Sequence, residues 1–321
     1  MSLSLEQIWT YLQRIRFPLT DRLPRPDLTT LNLVHDLHTR FVVFENLSLL
    51  VPSWRSLDCT VAGLKLDVPS LYTKLVKRGR GGYCFEVNTA FSSLLAGMGY
   101  TVRQGAARVV MDGMEVDPQL SSDHLYLMTP HSHSVLFVSG GMLPLGKQYL
   151  CDAGLGGNTL TRPVEIPPQE VMVNTPTRWD PPPDRGVLSY RLRWGRCGSP
   201  APAVPGDVDQ GYYLQVWSNR SPTHGAWHDL YFFTLAAFGP MDFVAANYFT
   251  STFPQSLFLK GPFCSRPDEK GGRYILMGGQ LKYRDALGVS QTQPISSSAD
   301  MIMVLRSHFG IDIPPNETIS L

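Results

Sequence analysis

The chain has 321 residues, of which 43% are hydrophobic and 17% charged, and a formal net charge of +1. That composition belongs to a folded globular protein of about two or three structural units and excludes a disordered chain. Near-neutral charge gives no reason to expect a nucleic acid or an anionic membrane as partner, so any basic site for a phosphorylated ligand must be local.

No run approaches the roughly 18 apolar residues that span a bilayer. The opening stretch from Ser4 to Leu12 is too broken by polar residues for a signal peptide. The five cysteines, at 59, 84, 151, 197 and 264, are odd in number, far apart and without a CxxC pair. That usage points away from zinc and disulfide staples, toward reduced thiols in a cytoplasmic enzyme.

In chain order, the first hundred residues read as helical. Leu5, Ile8, Leu12 and Ile15 recur at helical spacing, and Ser4 with Gln7 forms a capping-box pattern. A second helix is expected from Thr29 or Thr30, with Leu31, Val34, His38 and Phe41 on one face. Asp67, Pro69 and Gly79 frame a third. A fourth starts near Cys84, carries Val87, Phe91, Leu94, Leu95 and Met98 along one stripe, and ends at Gly97 and Gly99.

The period then changes. Segments 101–110, 124–129, 133–138 and 148–153 read as short strands, and Leu188, Tyr190, Leu192 and Trp194 alternate with polar residues as in a half-buried strand. Proline-rich stretches at 161–186 and 195–210 read as loop-like excursions. Beyond 211 strands mix with helical pieces, with a strand expected at Tyr274–Met277 and a helix at Ala299–His308. The units expected are 1–100 helical, 101–210 an antiparallel barrel or meander with proline-rich insertions, and 211–321 mixed.

Cys84 is the strongest candidate nucleophile. It sits in Arg80-Gly81-Gly82-Tyr83-Cys84-Phe85-Glu86, where a loop feeds a helix. The unpaired N–H groups and partial positive charge of a helix N-terminus favour thiolate, more so beside a histidine. The glycines permit close backbone approach and leave amides to point at an oxyanion. A thiolate needs a base, and the base an orienting carboxylate. His133, His124 and His131, in that order, are candidates for the base, because His133 opens the apolar run Ser134–Val138. Asp152, an acid costly to bury alone, is the candidate orienter. Local pattern alone favours a structural cysteine and surface histidines, and equally allows an aspartate that caps the glycine turn after it.

These segments, in the order Cys, His, Asp, resemble the catalytic elements of the arylamine N-acetyltransferases. The family signature Arg-Gly-Gly-x-Cys-x-Glu is complete from Arg80 to Glu86. Asp152-Ala153-Gly154-Leu155-Gly156 is similar to Asp-x-Gly-Phe-Gly, with Leu155 for the phenylalanine. Phe44-Glu45-Asn46-Leu47 resembles the Pro-Phe-Glu-Asn-Leu box, with Val43 for the proline. Lys74-Leu75-Val76, Arg108-Val109, Asp242-Phe243, Asn247, Ser251–Phe258 and Phe309-Gly310-Ile311 extend the likeness from about residue 8 to 311.

The resemblance implies an α+β fold: an N-terminal helical bundle, a central antiparallel β-barrel and a C-terminal α/β lid around a cysteine-protease-like core. It selects His133 as the base, giving a Cys84–His133–Asp152 triad. It implies ping-pong transfer of an acyl group from acetyl-CoA or another short acyl-CoA to an arylamine or arylhydrazine. No metal and no permanently bound cofactor are implied. Thr129 and Ser256 carry over as acyl-CoA contacts, and Arg80 and Glu86 as structural support, an ion pair anchoring the loop. Extra material at 111–123, at 139–147 and in the proline-rich stretches resembles eukaryotic, particularly fungal, members. Leu155 leaves the acceptor pocket wider or less suited to ring stacking. A papain-like or transglutaminase-like thiol hydrolase using the same triad is the alternative.

Overall fold

The computed structural model describes residues 3–111, 127–169, 171, 189–199, 209–218, 226–286 and 288–319. Helix α1, Leu5–Arg14, opens on the expected capping box: the Gln7 N–H donates to Ser4 Oγ and the Ser4 N–H to Gln7 Oε1. Helix α2, Leu28–Phe41, starts earlier than Thr29, because Asp27 supplies the cap by accepting the Thr30 N–H. Short α3, Pro52–Asp58, and α4, Val68–Leu71, follow. From α4 the chain continues as a wider π-turn over Tyr72–Lys77. Helix α5, Cys84–Gly97, begins on the candidate nucleophile itself. Its buried stripe, Val87, Phe91, Leu94 and Leu95, packs with Leu12 and Leu31 against Leu136 and Tyr149.

The strand-rich middle is one antiparallel seven-stranded sheet. Its strands are β4 (Thr101–Val109), β5 (His133–Ser139), β6 (Tyr149–Cys151), β7 (Val164–Glu165), β8 (Tyr190–Arg196), β9 (Gln210–Ser218) and β10 (Ala226–Phe233), in the order β7-β6-β5-β4-β10-β9-β8. Edge strands β7 and β8 come into contact, so the sheet curls into a nearly closed barrel. Val135, Phe137, Leu150, Tyr212, Leu214, Tyr231 and Phe233 fill its interior. The sheet runs on through Phe233, past residue 210, since β9 and β10 pair with each other and β10 pairs with β4. Of the segment read as a strand at 124–129, residues 124–126 lie outside the described residues; Met128 makes an isolated bridge to Val110.

The last part is a five-stranded antiparallel sheet with two helices, α6 (Pro240–Thr252) and α7 (Ser298–Phe309). Strands β11 (Cys264–Pro267), β12 (Arg273–Met277), β13 (Gln280–Arg284) and β14 (Ser290–Pro294) follow one another, and β1 (Phe44–Glu45) forms the other edge, beside β11. Residues 59–60 and 63–64 form a separate two-stranded hairpin, β2 and β3. Leu276, Leu281, Met301 and Leu305 share a core with Leu47 and Trp54, so the chain after β1 is packed into the C-terminal unit. The whole is a mixed α/β structure. Among the described residues no helix is long and apolar enough to cross a membrane.

Candidate active site

The loop before Cys84 is pinned to β1. Gly82 forms a parallel bridge with Phe44: the Gly82 N–H donates to Val43 O at 3.1 Å, and the Glu45 N–H donates to Gly82 O at 3.0 Å. A Cβ on Gly81 would stand 1.9 Å from Val43 O, so only glycine permits this approach. The Gly82 amide is not freed as the sequence suggested. The Gly82 N–H is taken by Val43, and the Tyr83 N–H donates to Glu86 Oε2 at 3.2 Å. Among the described residues of this stretch, the N–H groups without an acceptor are those of Gly81, Cys84 and Phe85, the last two opening the first turn of α5.

The two charged residues flanking Cys84 do not pair with each other, contrary to the sequence reading. Arg80 pairs with Glu45 at 2.7 Å and lies over the Trp54 ring, while Glu86 pairs with Lys74 at 2.6 Å; all four charged side chains are buried. Local geometry sets the exchange: β1 delivers Glu45 to the arginine, and the π-turn delivers Lys74 to the glutamate. Burial works to raise the Glu45 carboxyl, but Arg80 and Lys74 hold it below its ordinary value. Burial lifts Glu86 to about 6 against the pull of Lys74. Two buried ion pairs thus hold the loop before Cys84 and the first turn of α5.

His133 is the first residue of β5, and Asp152 follows β6. Pairing of the two strands brings them together, with His133 Nε2 at 2.7 Å from Asp152 Oδ2 and both side chains buried. Cys84 adjoins the same ring and helps to hold its proton, while its Sγ lies 3.8 Å from the Ser132 carbonyl oxygen. Burial opposes charge on this ring. The Asp152 carboxylate, its hydrogen bond and the Cys84 sulfur outweigh burial and hold His133 at about 10. Burial likewise opposes ionisation of Asp152, yet His133, Asn88 and the Gly154 N–H keep its carboxyl below the ordinary range.

Two supporting residues escaped the sequence reading. Asn88 lies one helical turn after Cys84 on the same face, and the Cys84–Asn88 spacing was the available signal. Its Nδ2 donates to Asp152 Oδ1 at 3.0 Å and to Ser134 O at 2.6 Å, and its Oδ1 accepts the Ala153 N–H at 2.9 Å. His35 on α2 accepts the Asp152 N–H on Nε2 at 3.2 Å. Burial pushes this imidazole down to about 4, so it is neutral and able to accept.

Cys84 and His133 border a cleft of about 400 Å³ walled by Phe44, Phe258 and Phe263 on one side and Val109, Leu127 and Met128 on the other. Leu155, Thr129 and Ser256 line the same cleft. The Thr129 hydroxyl accepts the Val109 N–H and donates to Pro130 O; that of Ser256 donates to Thr250 O and accepts the Phe258 N–H. Both hydroxyls are thus engaged in shaping the wall. His131 stands apart, its ring against Phe238, and His124 lies outside the described residues.

A thiol at a helix N-terminus, in one cleft with an imidazole that a buried carboxylate holds protonated, is equipped for acyl transfer through a covalent thioester. Comparison with known proteins narrows that class. The family model described as N-acetyltransferase matches residues 27–180 and 208–318. An arylamine N-acetyltransferase of Mycolicibacterium smegmatis is 31% identical over 94% of this chain and 91% of its own length. The structure of Mycobacterium marinum arylamine N-acetyltransferase in complex with CoA superposes with a TM-score of 0.69 at 28% identity, covering 95% of this chain and 92% of that one. The N-malonyltransferase FDB2 of Gibberella moniliformis is 25% identical over 85% of this chain and 73% of its own length. The chain belongs to the N-acetyltransferase family and is an acyltransferase.

Proposed function

We propose that this chain transfers an acyl group from an acyl-CoA to an aromatic amine or hydrazine through a thioester on Cys84, with His133 and Asp152 completing the triad. The observation that carries this reading is the buried His133–Asp152 hydrogen bond in the same aromatic-walled cleft that Cys84 lines.

The Cys84 thiolate attacks the thioester carbonyl. The oxyanion that forms is met by the free Cys84 N–H, and His133 gives its proton to the departing CoA sulfur. The arylamine nitrogen then attacks the acyl-enzyme, His133 takes the proton that nitrogen loses, and the thiolate–imidazolium pair is restored. Phe44, Phe258 and Phe263 offer ring faces to an aromatic acceptor.

We assign the acyl-CoA to the same cleft, with Thr129 and Ser256 contacting it through their positions on the wall, and no resident cofactor. The C-terminal unit acts as the lid, since Ser256, Phe258 and Phe263 close the cleft from that side. We place the chain among eukaryotic, fungal-type members on the strength of its insertions, and in the cytoplasm because five free thiols suit a reducing compartment. Steady-state kinetics with acetyl-CoA and an aniline test the reading. Parallel double-reciprocal lines are expected; intersecting lines, or peptide cleavage without acylation, would overturn it.

A further inference from the structure

Asp152 stands one residue past the end of β6, since the register with β5 stops at the Leu136–Cys151 pair. Its N–H therefore lies beyond the strand ladder, in a fully buried residue where an unmet donor would be costly. His35 Nε2, on α2, receives it at 3.2 Å. A peptide N–H can only donate, so Nε2 carries the lone pair and the ring proton is on Nδ1. Burial keeps the ring neutral, as this bond requires. The carboxylate itself is held by other groups, Oδ2 by His133 and Oδ1 by Asn88 and the Gly154 N–H. Those bonds fix the carboxylate; the bond to His35 fixes the peptide that carries it.

The His35 ring is itself held in place. It is fully buried and stacks on Phe91, with centroids 5.3 Å apart and planes at 23°. Phe91 lies on α5, about two turns after Cys84, so the helix that presents the sulfur also supplies the platform for His35. His38, about one turn further along α2, stacks on the same ring at 4.4 Å. It is equally buried, but its Nε2 meets the Tyr11 hydroxyl at 2.9 Å, so its bond runs to α1 and away from the triad. The charged or titratable groups that face these two rings are Asp152 for His35, and Arg14 and His35 for His38.

We propose that His35 is a positioning residue for acyl transfer: by accepting the Asp152 N–H it aims the carboxylate at His133, a task that needs a bare acceptor at the Nε2 position. The proposal rests on the triad reading given above. It makes α2, which carries no group that touches substrate, part of the apparatus that keeps the imidazole charged.

Three variants of the full chain test it. His35→Leu removes the acceptor, His35→Gln offers an amide oxygen that reaches about as far as Nε2, and His38→Leu alters the other histidine on the Phe91 ring. Each is read by kcat/KM for acetyl-CoA with an aniline across pH, and by the rate of Cys84 alkylation at pH 7. His35→Leu is expected to lower kcat/KM at least about tenfold, to slow alkylation, and to move the alkaline limb of kcat/KM down by about one pH unit, as His133 gives up its proton more easily. His35→Gln is expected to recover most of the rate and the parent limb. His38→Leu is expected to lower the unfolding midpoint while the pH profile stays in place. If His35→Leu does not fold, His35→Asn, whose amide stops short of the Nε2 position, takes its place. A parent-like rate and limb without the acceptor, no recovery in His35→Gln, or the same displaced limb in His38→Leu would overturn the role of His35. A parent chain that never acylates Cys84 would instead overturn the triad reading, and this proposal with it.

Discussion

Gly154 passes so close to Cys84 that a Cβ on the glycine would stand 2.6 Å from the cysteine Cα and 3.0 Å from its Cβ. The turn after Asp152 thus abuts Cys84 at van der Waals contact, and in the proposed mechanism the distance between His133 and the sulfur depends on it. Gly154→Ala should cut kcat/KM by about 100-fold, since small misplacement of reacting groups is that costly, and destabilise the fold by about 1–3 kcal/mol. Gly261→Ala, where a Cβ meets nothing within 4 Å, is the control and should be near neutral. Kinetics and urea unfolding of the two variants check both effects.

Asp152→Asn keeps the shape of the orienting side chain and removes its charge. Burial, now unopposed by a carboxylate, should leave His133 neutral at pH 7 and Cys84 without its charged partner. Alkylation of Cys84 by iodoacetamide at neutral pH is expected to slow by about 100-fold. A variant alkylated at the parent rate would show that Asp152 does not maintain the pair.

The same pair shapes stability against pH. His133 is raised from an ordinary 6.5 to about 10, so its contribution is complete below 6.5 and lost as pH climbs through about 10. Asp152 is lowered from an ordinary 3.8, so its contribution is complete above 3.8 and lost as pH falls from there through its lowered value. The thermal midpoint should fall on both sides of a mildly acidic plateau between the two ordinary values, 3.8 and 6.5. Asp152→Asn should flatten the alkaline limb, which thermal scans from acid to alkaline pH would show.

Removing one side of the Lys74–Glu86 pair leaves a buried carboxylate alone. Lys74→Met should destabilise by about 3–5 kcal/mol, and adding Glu86→Gln should recover part of the loss. Asn88→Ala should cost about 2–3 kcal/mol through the unmet Ala153 N–H and Ser134 carbonyl, and lower kcat/KM about tenfold by loosening Asp152. Denaturation of the single and double variants separates the two effects.

How much of this the sequence carried depended on how local each signal was. Four of the five N-terminal helices and the strand opening on His133 were legible because period and capping residues act within a few positions; α3, Pro52–Asp58, is too short to show a period. Cys84, His133 and Asp152 were legible because each sits in a short motif, whereas Asn88 looked like one polar residue in an apolar helix until the barrel strand came to lie beside it. Arg80 and Glu86 were read as partners because they are near in sequence. The fold instead gives each a buried partner from elsewhere, 35 residues away for Arg80 and 12 for Glu86. The proline-rich run ending near 210 resembled a boundary between units, yet β9 and β10 on its far side belong to the barrel, a pairing that no local pattern announces.

The most direct test is peptide mass spectrometry of the full chain after brief exposure to acetyl-CoA without an acceptor, followed by addition of an aniline. The account predicts an acetyl group on the peptide holding Cys84, one CoA thiol released per chain, and loss of the adduct as the acetylated amine appears. An unmodified Cys84 in protein that still acetylates the amine, or a stable adduct on a different cysteine, would contradict it.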